Sequence, residues 1–259
     1  MTGSSAGVRP VTLHVWRVPR SAVPRALWRM AVDRRRLRRT PGVSFAKLLG
    51  TGRDLRFGLG DADPTRWAAI VVWHDAAAAE EFAGSPVGRS WAAIATAGCR
   101  LTLRPVSSRG RWAGRAPFDA AAPGGPIANG PGPAGNGPGP AGNGAGPMLV
   151  LTRARLRPAR APRFWRTIPR VARALPTTPG LLAAFGVGEA PLGWQGTISV
   201  WRNATDLVGF AYRRPGHRAV VAATPARRWY VEELFARFAV LDISGDRDVL
   251  GWTERDDPG

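Results

Sequence analysis

Residues 37–42 read Leu-Arg-Arg-Thr-Pro-Gly, and residues 175–180 read Leu-Pro-Thr-Thr-Pro-Gly. Further matches keep the same order along the chain: Gly50-Thr51-Gly52 with Gly186-Val187-Gly188, Val72-Trp73 with Val200-Trp201, and Phe82-Ala83 with Phe210-Ala211. Such ordered self-similarity indicates that one ancestral unit was duplicated and fused. The chain of 259 residues is long enough for two units of about 100 residues, each with its own core.

The segment between the two units is rich in glycine, proline, alanine and asparagine. Within it, the sequence PGPAGNG occurs at residues 131–137 and again at residues 138–144. Its glycines do not fall at every third position, which excludes a collagen helix, and it has almost no apolar side chains to bury. We therefore predict a first domain over residues 9–118, a disordered linker over 119–147 and a second domain over 148–255.

Each unit shows the order strand, helix, strand, strand, helix, strand. In the first unit the pattern predicts strands over 11–18, 43–49, 67–73 and 100–106, with helices over 21–36 and from Ala76, which Asp75 can cap. In the second unit it predicts strands over 149–155, 181–187, 195–201 and 238–243, with helices over 162–174, from Ala204, and again over 227–235. This order is typical of the ferredoxin-like βαββαβ unit. We predict an α+β fold in which two tandem ferredoxin-like modules pack sheet-to-sheet as a single-chain α/β barrel.

The third strand of each unit has one wholly apolar face and one mixed face. The apolar face is predicted to lie beneath the helices, and it consists of Ile70, Val72, Ile198 and Val200. The mixed face is predicted to line the space between the sheets, and it includes Trp73, Thr197, Ser199 and Trp201. Its polar members favour a substrate cavity, and a tightly packed seam is the alternative.

Lys47 is the only lysine of the chain and falls within the second predicted strand. A contact with substrate or with a cofactor carboxylate is one interpretation. The other is protection of an exposed sheet edge against aggregation, a common use of lysine in edge strands.

Three segments resemble a known family. The run Phe45-Ala46-Lys47-Leu48-Leu49-Gly50-Thr51-Gly52, the strand Val71-Val72-Trp73, and the segment from Phe210-Ala211-Tyr212 to Pro215-Gly216-His217 are similar to spheroidene monooxygenase and its relatives. The resemblance covers both units and not the linker. It implies a dimeric-α/β-barrel-type fold, a haem cofactor, and oxygenation of a hydrophobic, carotenoid substrate by dioxygen. The electron donor and the oligomeric state are not implied.

A haem iron needs a protein ligand, most often histidine in oxygen-handling proteins. His217 follows Pro215-Gly216 at the start of an apolar run that is predicted to be helical, where the helix dipole disfavours the charged imidazolium. We therefore expect His217 to bind the metal, with Arg213 and Arg214 near the haem carboxylates. A solvent-exposed histidine at a helix start is the competing interpretation.

The other candidate ligands are His14, His74 and Cys99. His14 lies on the first strand opposite Leu13 and Val15, and is the second choice for a ligand in the space between the sheets. His74 is expected to sit at a strand end without a chemical role. Cys99 is expected to be a small buried apolar residue rather than a thiolate ligand.

The net charge and the cysteine content limit which other functions are possible for the chain. The net charge is +19, and because Lys47 is the only lysine, arginine supplies almost all of the positive charge, as a GC-rich coding bias would produce. RNA binding, a non-catalytic carrier of haem or another apolar ligand, and docking on an anionic membrane surface remain alternatives. The aromatic sheet consensus of RNA-binding modules is absent. The lone Cys99, with no signal-like N-terminal segment, predicts a reducing cytoplasm.

Overall fold

The computed structural model describes residues 8–53, 61–118, 146–156, 178–189, 194–213 and 230–253. Its strands in the first half are β1 (Val11–Arg17), β2 (Val43–Gly52), β3 (Ala62–Trp73) and β4 (Ala97–Gly110). Those in the second half are β5 (Met148–Leu156), β6 (Leu181–Gly188), β7 (Trp194–Trp201) and β8 (Tyr230–Gly245). These eight strands form a closed antiparallel barrel in the order β1-β3-β2-β6-β7-β5-β8-β4. The predicted α/β barrel is confirmed in this form.

The described helices lie on the outside of the barrel. They are α1 (Val23–Arg38), α2 (Ala76–Glu81), α3 (Pro86–Ala92) and α4 (Ala204–Arg213), with 3-10 turns at Arg20–Ala22, Phe82–Gly84 and Arg247–Leu250. Asp75 caps α2 by accepting a hydrogen bond of 2.9 Å from the Ala78 backbone N–H, as predicted. The predicted helix over 162–174, and all of the predicted linker except residues 146–147, lie outside the described residues.

The two halves place their strands in the same relative order. In each half the first strand lies between the third and the fourth, and the second strand pairs with the third. The halves meet along two seams of unequal length. One is the long ladder between β4 and β8, from Cys99↔Gly245 to Gly110↔Leu234. The other, between β2 and β6, consists of only Gly50↔Gly188 and Thr51↔Val187.

The faces of the third strands are reversed from the prediction. Ile70, Val72, Ile198 and Val200 belong to the apolar core that the barrel encloses. Trp73 and Val71 instead pack in a second core, between the sheet and the helices of the first half. The prediction that the mixed face lines the space between the sheets was therefore wrong. An eight-stranded barrel is just wide enough for its side chains to fill it, and here the apolar face of the third strands packs inside.

The chain segment before the last strand also differs from the prediction. Residues 230–235 of the predicted helix over 227–235 are the beginning of β8, and residues 227–229 lie outside the described residues. β8 hydrogen-bonds to β4 on one side and to β5 on the other, and Leu234, Ala236 and Phe238 alternate into the barrel interior. Pairing on both sides outweighs the helical propensity of this segment.

The repeated Thr-Pro-Gly sequence forms the same turn in both halves. Gly42 and Gly180 have φ angles of 76° and 77°, as the third position of a type II turn requires. The carbonyl of Gly42 accepts a hydrogen bond of 2.8 Å from the His74 N–H, and the carbonyl of Gly180 accepts one of 2.8 Å from the Arg202 N–H. Each turn therefore ties the start of a second strand to the end of a third strand.

We expect Gly42→Ala to lower the free energy of unfolding by about 1 to 2 kcal/mol. The positive φ strains any residue with a side chain, and the new Cβ would lie 2.2 Å from the Ala78 Cβ. Urea denaturation measures the effect. Gly84→Ala is the matched control, because nothing lies within 4 Å of its added Cβ. Equal stabilities of the two variants would contradict the prediction.

Candidate functional site

A cluster of charged side chains lies inside the barrel, where β4 and β6 end and β8 begins. The Lys47 Nζ is 2.6 Å from the Glu189 Oε2. The same carboxylate accepts a hydrogen bond of 2.6 Å from the Trp112 indole Nε1 and lies 3.2 Å from the Arg153 Nη2. Arg153 also forms an ion pair with Glu232. These five residues are called the interior charge cluster.

Lys47 belongs to this cluster because of its place in the pleat of β2. It shares the inward face with Phe45 and Leu49, which are both in the enclosed core. Its Nζ lies 5.8 Å and 5.9 Å from the ring centroids of Phe45 and Trp112, within range of cation–π attraction. β2 pairs with β3 along most of its length but with β6 only at Gly50 and Thr51, and the Lys47 side chain points inward to Glu189.

The charges in the cluster compensate one another, as burial requires. Arg153 exposes only 4% of its side chain, and its guanidinium reaches both Glu189 and Glu232. Burial alone would raise the pKa of Glu232, but hydrogen bonds from the Gly114 N–H, the Arg153 guanidinium and the Ala113 N–H together lower it below its ordinary value.

Lys47 and Trp112 come from the first half and the carboxylates from the second. The cluster therefore connects the halves beside the short β2–β6 seam.

His14 lies on the outer face of β1, away from the barrel interior. Its Nε2 is 3.0 Å from the Thr12 Oγ1, and its ring centroid is 4.4 Å from that of Phe82. Burial, and secondarily the charge of Arg100, lower the pKa of His14 to about 3. The second-choice ligand of the sequence analysis does not face the space between the sheets, and its Nε2 is engaged by Thr12.

The other two candidate ligands fall in unlike surroundings. His74 is exposed at the end of β3, as expected. Cys99 belongs to the enclosed core, and burial raises the pKa of its thiol to about 11, so it is not a thiolate at neutral pH. Within the part of the chain that the structure describes, no group of three or more His, Cys, Asp or Glu residues could hold a metal ion.

The structure separates the remaining predicted site residues. His217 and Arg214 lie outside the described residues, and Arg213 ends α4. Trp201 is buried, donates a hydrogen bond of 3.0 Å from its Nε1 to the Ser199 Oγ, and lies 5.1 Å from the Phe210 ring of α4. Trp201 and Ser199 therefore face outward from the second half, with Thr197 on the same side of β7. Lys47 and Trp73, which were predicted to line the same cavity, lie elsewhere: Lys47 in the interior charge cluster and Trp73 beneath the helices of the first half.

The strand registers allow the outer faces of the two halves to be compared position by position. Val11 pairs with Val72 and Leu149 with Val200, so β1 and β5 are aligned through these pairs. His14 then corresponds to Thr152, and Trp16 to Ala154. In the same way Phe45 pairs with Val72 and Ala183 with Val200, so Leu48 corresponds to Gly186.

At these matched strand positions, the second half has smaller side chains than the first half. In the first half, the Trp16 ring lies 5.2 Å from the Trp91 ring of α3, and Leu48 fills the same core. The second outer face is defined by Thr152, Ala154, Gly186, Thr197 and Ser199, whose side chains are small, and the larger Trp201 lies on the same side of β7.

Most of the interior charge cluster has no signal in the sequence. Lys47 stands out as the only lysine, but nothing in the sequence indicates its partners. Glu189, Arg153 and Glu232 follow no motif, and each comes from a different segment of the chain. One signal for the cluster is available. Arg153 of β5 stands at the position that the apolar Val15 occupies in β1, on the inward face of the strand.

Comparison with known proteins gives two informative sequence relatives. The spheroidene monooxygenase of Rhodobacter capsulatus is 31% identical over 229 residues, which cover 87% of this chain and 87% of that protein. The spheroidene monooxygenase of Rubrivivax gelatinosus is 34% identical over 213 residues, which cover 79% of this chain and 72% of that protein. No protein-family model matches the chain.

A solved structure shows the same fold. An aldoxime dehydratase in complex with butyraldoxime aligns with a TM-score of 0.54 at 16% identity, covering 92% of this chain and 81% of that one. At this identity the similarity concerns the fold alone.

Proposed function

The chain belongs to the spheroidene monooxygenase family, and from this premise we propose that it is a haem-dependent enzyme acting on a hydrophobic substrate of the carotenoid kind. Monooxygenase activity follows from membership of the family. The cofactor, its site and the substrate class are the proposal. The observation that carries it is the second outer face, whose small side chains lie beside α4.

At the second outer face the described positions carry smaller side chains than the matching positions of the first half, which favours a site for a flat group there. Thr152, Ala154 and Gly186 replace three bulky side chains of the first half, and the barrel interior is filled by its own core. The contact between Trp201 and Phe210 holds α4 against this side of the sheet. His217 follows Arg213 closely in sequence, and a fully extended chain between them spans at most about 14 Å.

In this arrangement the protein supplies binding, orientation and exclusion of water. His217 would hold the iron, and Arg213 and Arg214 would pair with the haem carboxylates. Haem, when bound, supplies the activation of dioxygen. The sheet behind Thr197 and Ser199 would cover one side of the group, so that an apolar substrate meets it away from bulk water.

We also infer that the two halves are duplicated ferredoxin-like units. Their strands have the same relative order, and the Thr-Pro-Gly turns have matching φ angles and matching hydrogen bonds. This history explains why only one half would bind the cofactor. After duplication, one outer face was filled by residues such as Trp16, and the other kept small side chains.

Absorption spectroscopy of purified protein supplied with haem tests the site. We expect a Soret band in the wild type and in His74→Ala, an exposed control, and its loss in His217→Ala. Ala154→Trp, which reproduces Trp16 of the first half, should block haem uptake with its circular dichroism unchanged. A band that survives both His217→Ala and Ala154→Trp would exclude this site. Turnover of a carotenoid with dioxygen and a reductant separates the enzyme from a non-catalytic carrier.

A further inference from the structure

Helix α1 carries two apolar stripes, although it needs only one to pack on the barrel. The first stripe consists of Ala26, Met30 and Leu37, which are buried in the core between the sheet and the helices. Their spacing places them on one side of the helix. The packing of α1 on the barrel is accounted for by this stripe.

The second stripe lies on the opposite side and faces solvent. It consists of Pro24, Leu27, Trp28 and Ala31, at the i, i+3, i+4, i+7 spacing of a continuous helical face, and all four are exposed. The side chains of Leu27 and Trp28 expose 56% and 70% of their surface. Two large adjacent apolar side chains exposed on one helix mark an interaction surface.

The charges around this stripe are all positive. Arg25, Arg34, Arg35 and Arg38 are exposed on α1. The only acidic residue of the helix is Asp33, which is 1% exposed and pairs with Arg29 and Arg36. Among the described residues, no carboxylate forms an ion pair with Arg25, Arg35 or Arg38. The exposed face of α1 therefore presents arginine and apolar side chains without negative charge.

We propose that the exposed face of α1 docks on the surface of an anionic lipid bilayer. A helix with tryptophan and leucine on a face bordered by arginines has the pattern of one that lies in the plane of the membrane interface. Trp28 and Leu27 enter the boundary between headgroups and acyl chains, and the arginines meet the lipid phosphates. None of the described helices has the length and apolar character needed to span a bilayer. The proposal does not depend on the haem site, because α1 covers the other half of the barrel.

A bilayer fits this surface better than an acidic protein does. The apolar stripe runs along the outermost line of the helix, so it reaches a flat surface first, and the arginines flank it. An acidic protein partner would pair with the arginines and leave no reason for Trp28 to be the most protruding apolar group. Anionic lipid offers both partners that this surface needs: negative phosphates for the arginines and acyl chains for the apolar stripe.

Vesicle flotation of the full chain tests the proposal. We expect binding to vesicles of phosphatidylcholine with phosphatidylglycerol, weak binding to phosphatidylcholine alone, and a decrease with added salt. Arg35→Glu with Arg38→Glu should weaken binding at least about tenfold, since each arginine near an anionic surface contributes about fivefold. Leu27→Ser with Trp28→Ser should also weaken it about tenfold or more.

Matched controls lie elsewhere on the barrel. Leu241→Ser removes an apolar side chain that is 59% exposed on β8, and Arg104→Glu reverses an exposed charge on β4. Both should leave vesicle binding unchanged. Brominated lipid should quench the fluorescence of the wild type more than that of Trp28→Phe.

The proposal is overturned if the wild type does not float with anionic vesicles, or if it floats equally well with neutral ones. It is also overturned if the controls weaken binding as much as the α1 variants do. Retention on an acidic protein, without any vesicle binding, would replace it with a protein partner. The vesicle composition and salt series use the wild type alone, so they decide the question even if a variant fails to fold.

Discussion

Replacement of Arg153 by methionine is expected to lower the free energy of unfolding by about 3 to 5 kcal/mol. Arg153 exposes 4% of its side chain and lies between the carboxylates of Glu189 and Glu232. Its removal leaves the Glu189 carboxylate with Lys47 and Trp112 as partners, and the Glu232 carboxylate with the Ala113 and Gly114 N–H groups but no positive charge from Arg153. A buried charge without its partner is among the most destabilising single changes in a protein.

Urea denaturation at neutral pH, followed by circular dichroism, measures this effect. Arg155→Met is the control, because Arg155 is an exposed arginine two positions further along β5. The double variant Arg153→Met with Glu232→Gln should be less destabilised than the sum of the two single variants, because the partners are removed together. An Arg153→Met protein as stable as Arg155→Met would show that the interior charge cluster does not hold the barrel together.

The second large effect is a loss of stability in mild acid that depends on His14. Its pKa is about 3 in the folded protein, against 6.5 as its ordinary value. Unfolded chains therefore take up a proton below pH 6.5 that the folded protein does not, so stability falls as the pH falls toward 3. Between pH 6.5 and 4.5 the loss due to His14 is about 2 to 3 kcal/mol.

The variant His14→Leu isolates this contribution. It cannot ionise, and the Thr12 Oγ1 still accepts the hydrogen bond of 2.8 Å from the Trp73 Nε1. Unfolding free energies of the variant should change less than those of the wild type between pH 6.5 and 4.5. Arg100, whose charge also lowers this pKa, pairs with Glu80 at 2.8 Å.

Two further comparisons define the outcome. His74→Gln, at an exposed histidine, should keep the pH dependence of the wild type. The carboxyls of Glu232 and Asp63, whose pKa values are lowered in the fold, lose most of their contribution at lower pH, and what they lose within the window is common to the wild type and His14→Leu. If His14→Leu kept the full pH dependence of the wild type, His14 would have to ionise within the fold.

Much of the fold could be predicted because it depends on local patterns. The repeated Thr-Pro-Gly sequence marked equivalent turns, which the matching φ angles of Gly42 and Gly180 confirm. Period-two alternation located the cores of the described strands, and Asp75 marked the start of α2. Such signals depend on neighbours within a few residues, so they are present in the sequence itself.

The candidate site was less predictable, because it depends on which face of a strand turns inward. The sequence analysis put the apolar face of β3 beneath the helices, whereas the closed barrel takes it inside. Thr197, Ser199 and Trp201 were therefore predicted in the barrel interior but lie on the outer face beside α4. Alternation distinguishes the two faces of a strand. It does not say which face packs in the barrel interior and which packs beneath the helices.

By itself the sequence determined the α/β barrel class, most of the strand positions, the Thr-Pro-Gly turns and the family of this protein. Only the tertiary structure decided that Lys47 is an interior residue with partners, that His14 is buried beneath the helices, and that matched outer positions of the two halves carry side chains of different size. The physical reason is the range of the interactions. Strand alternation, turn residues and helix caps depend on residues that are near in sequence. Burial and charge compensation depend on residues such as Lys47, Arg153 and Glu189, which only barrel closure brings together.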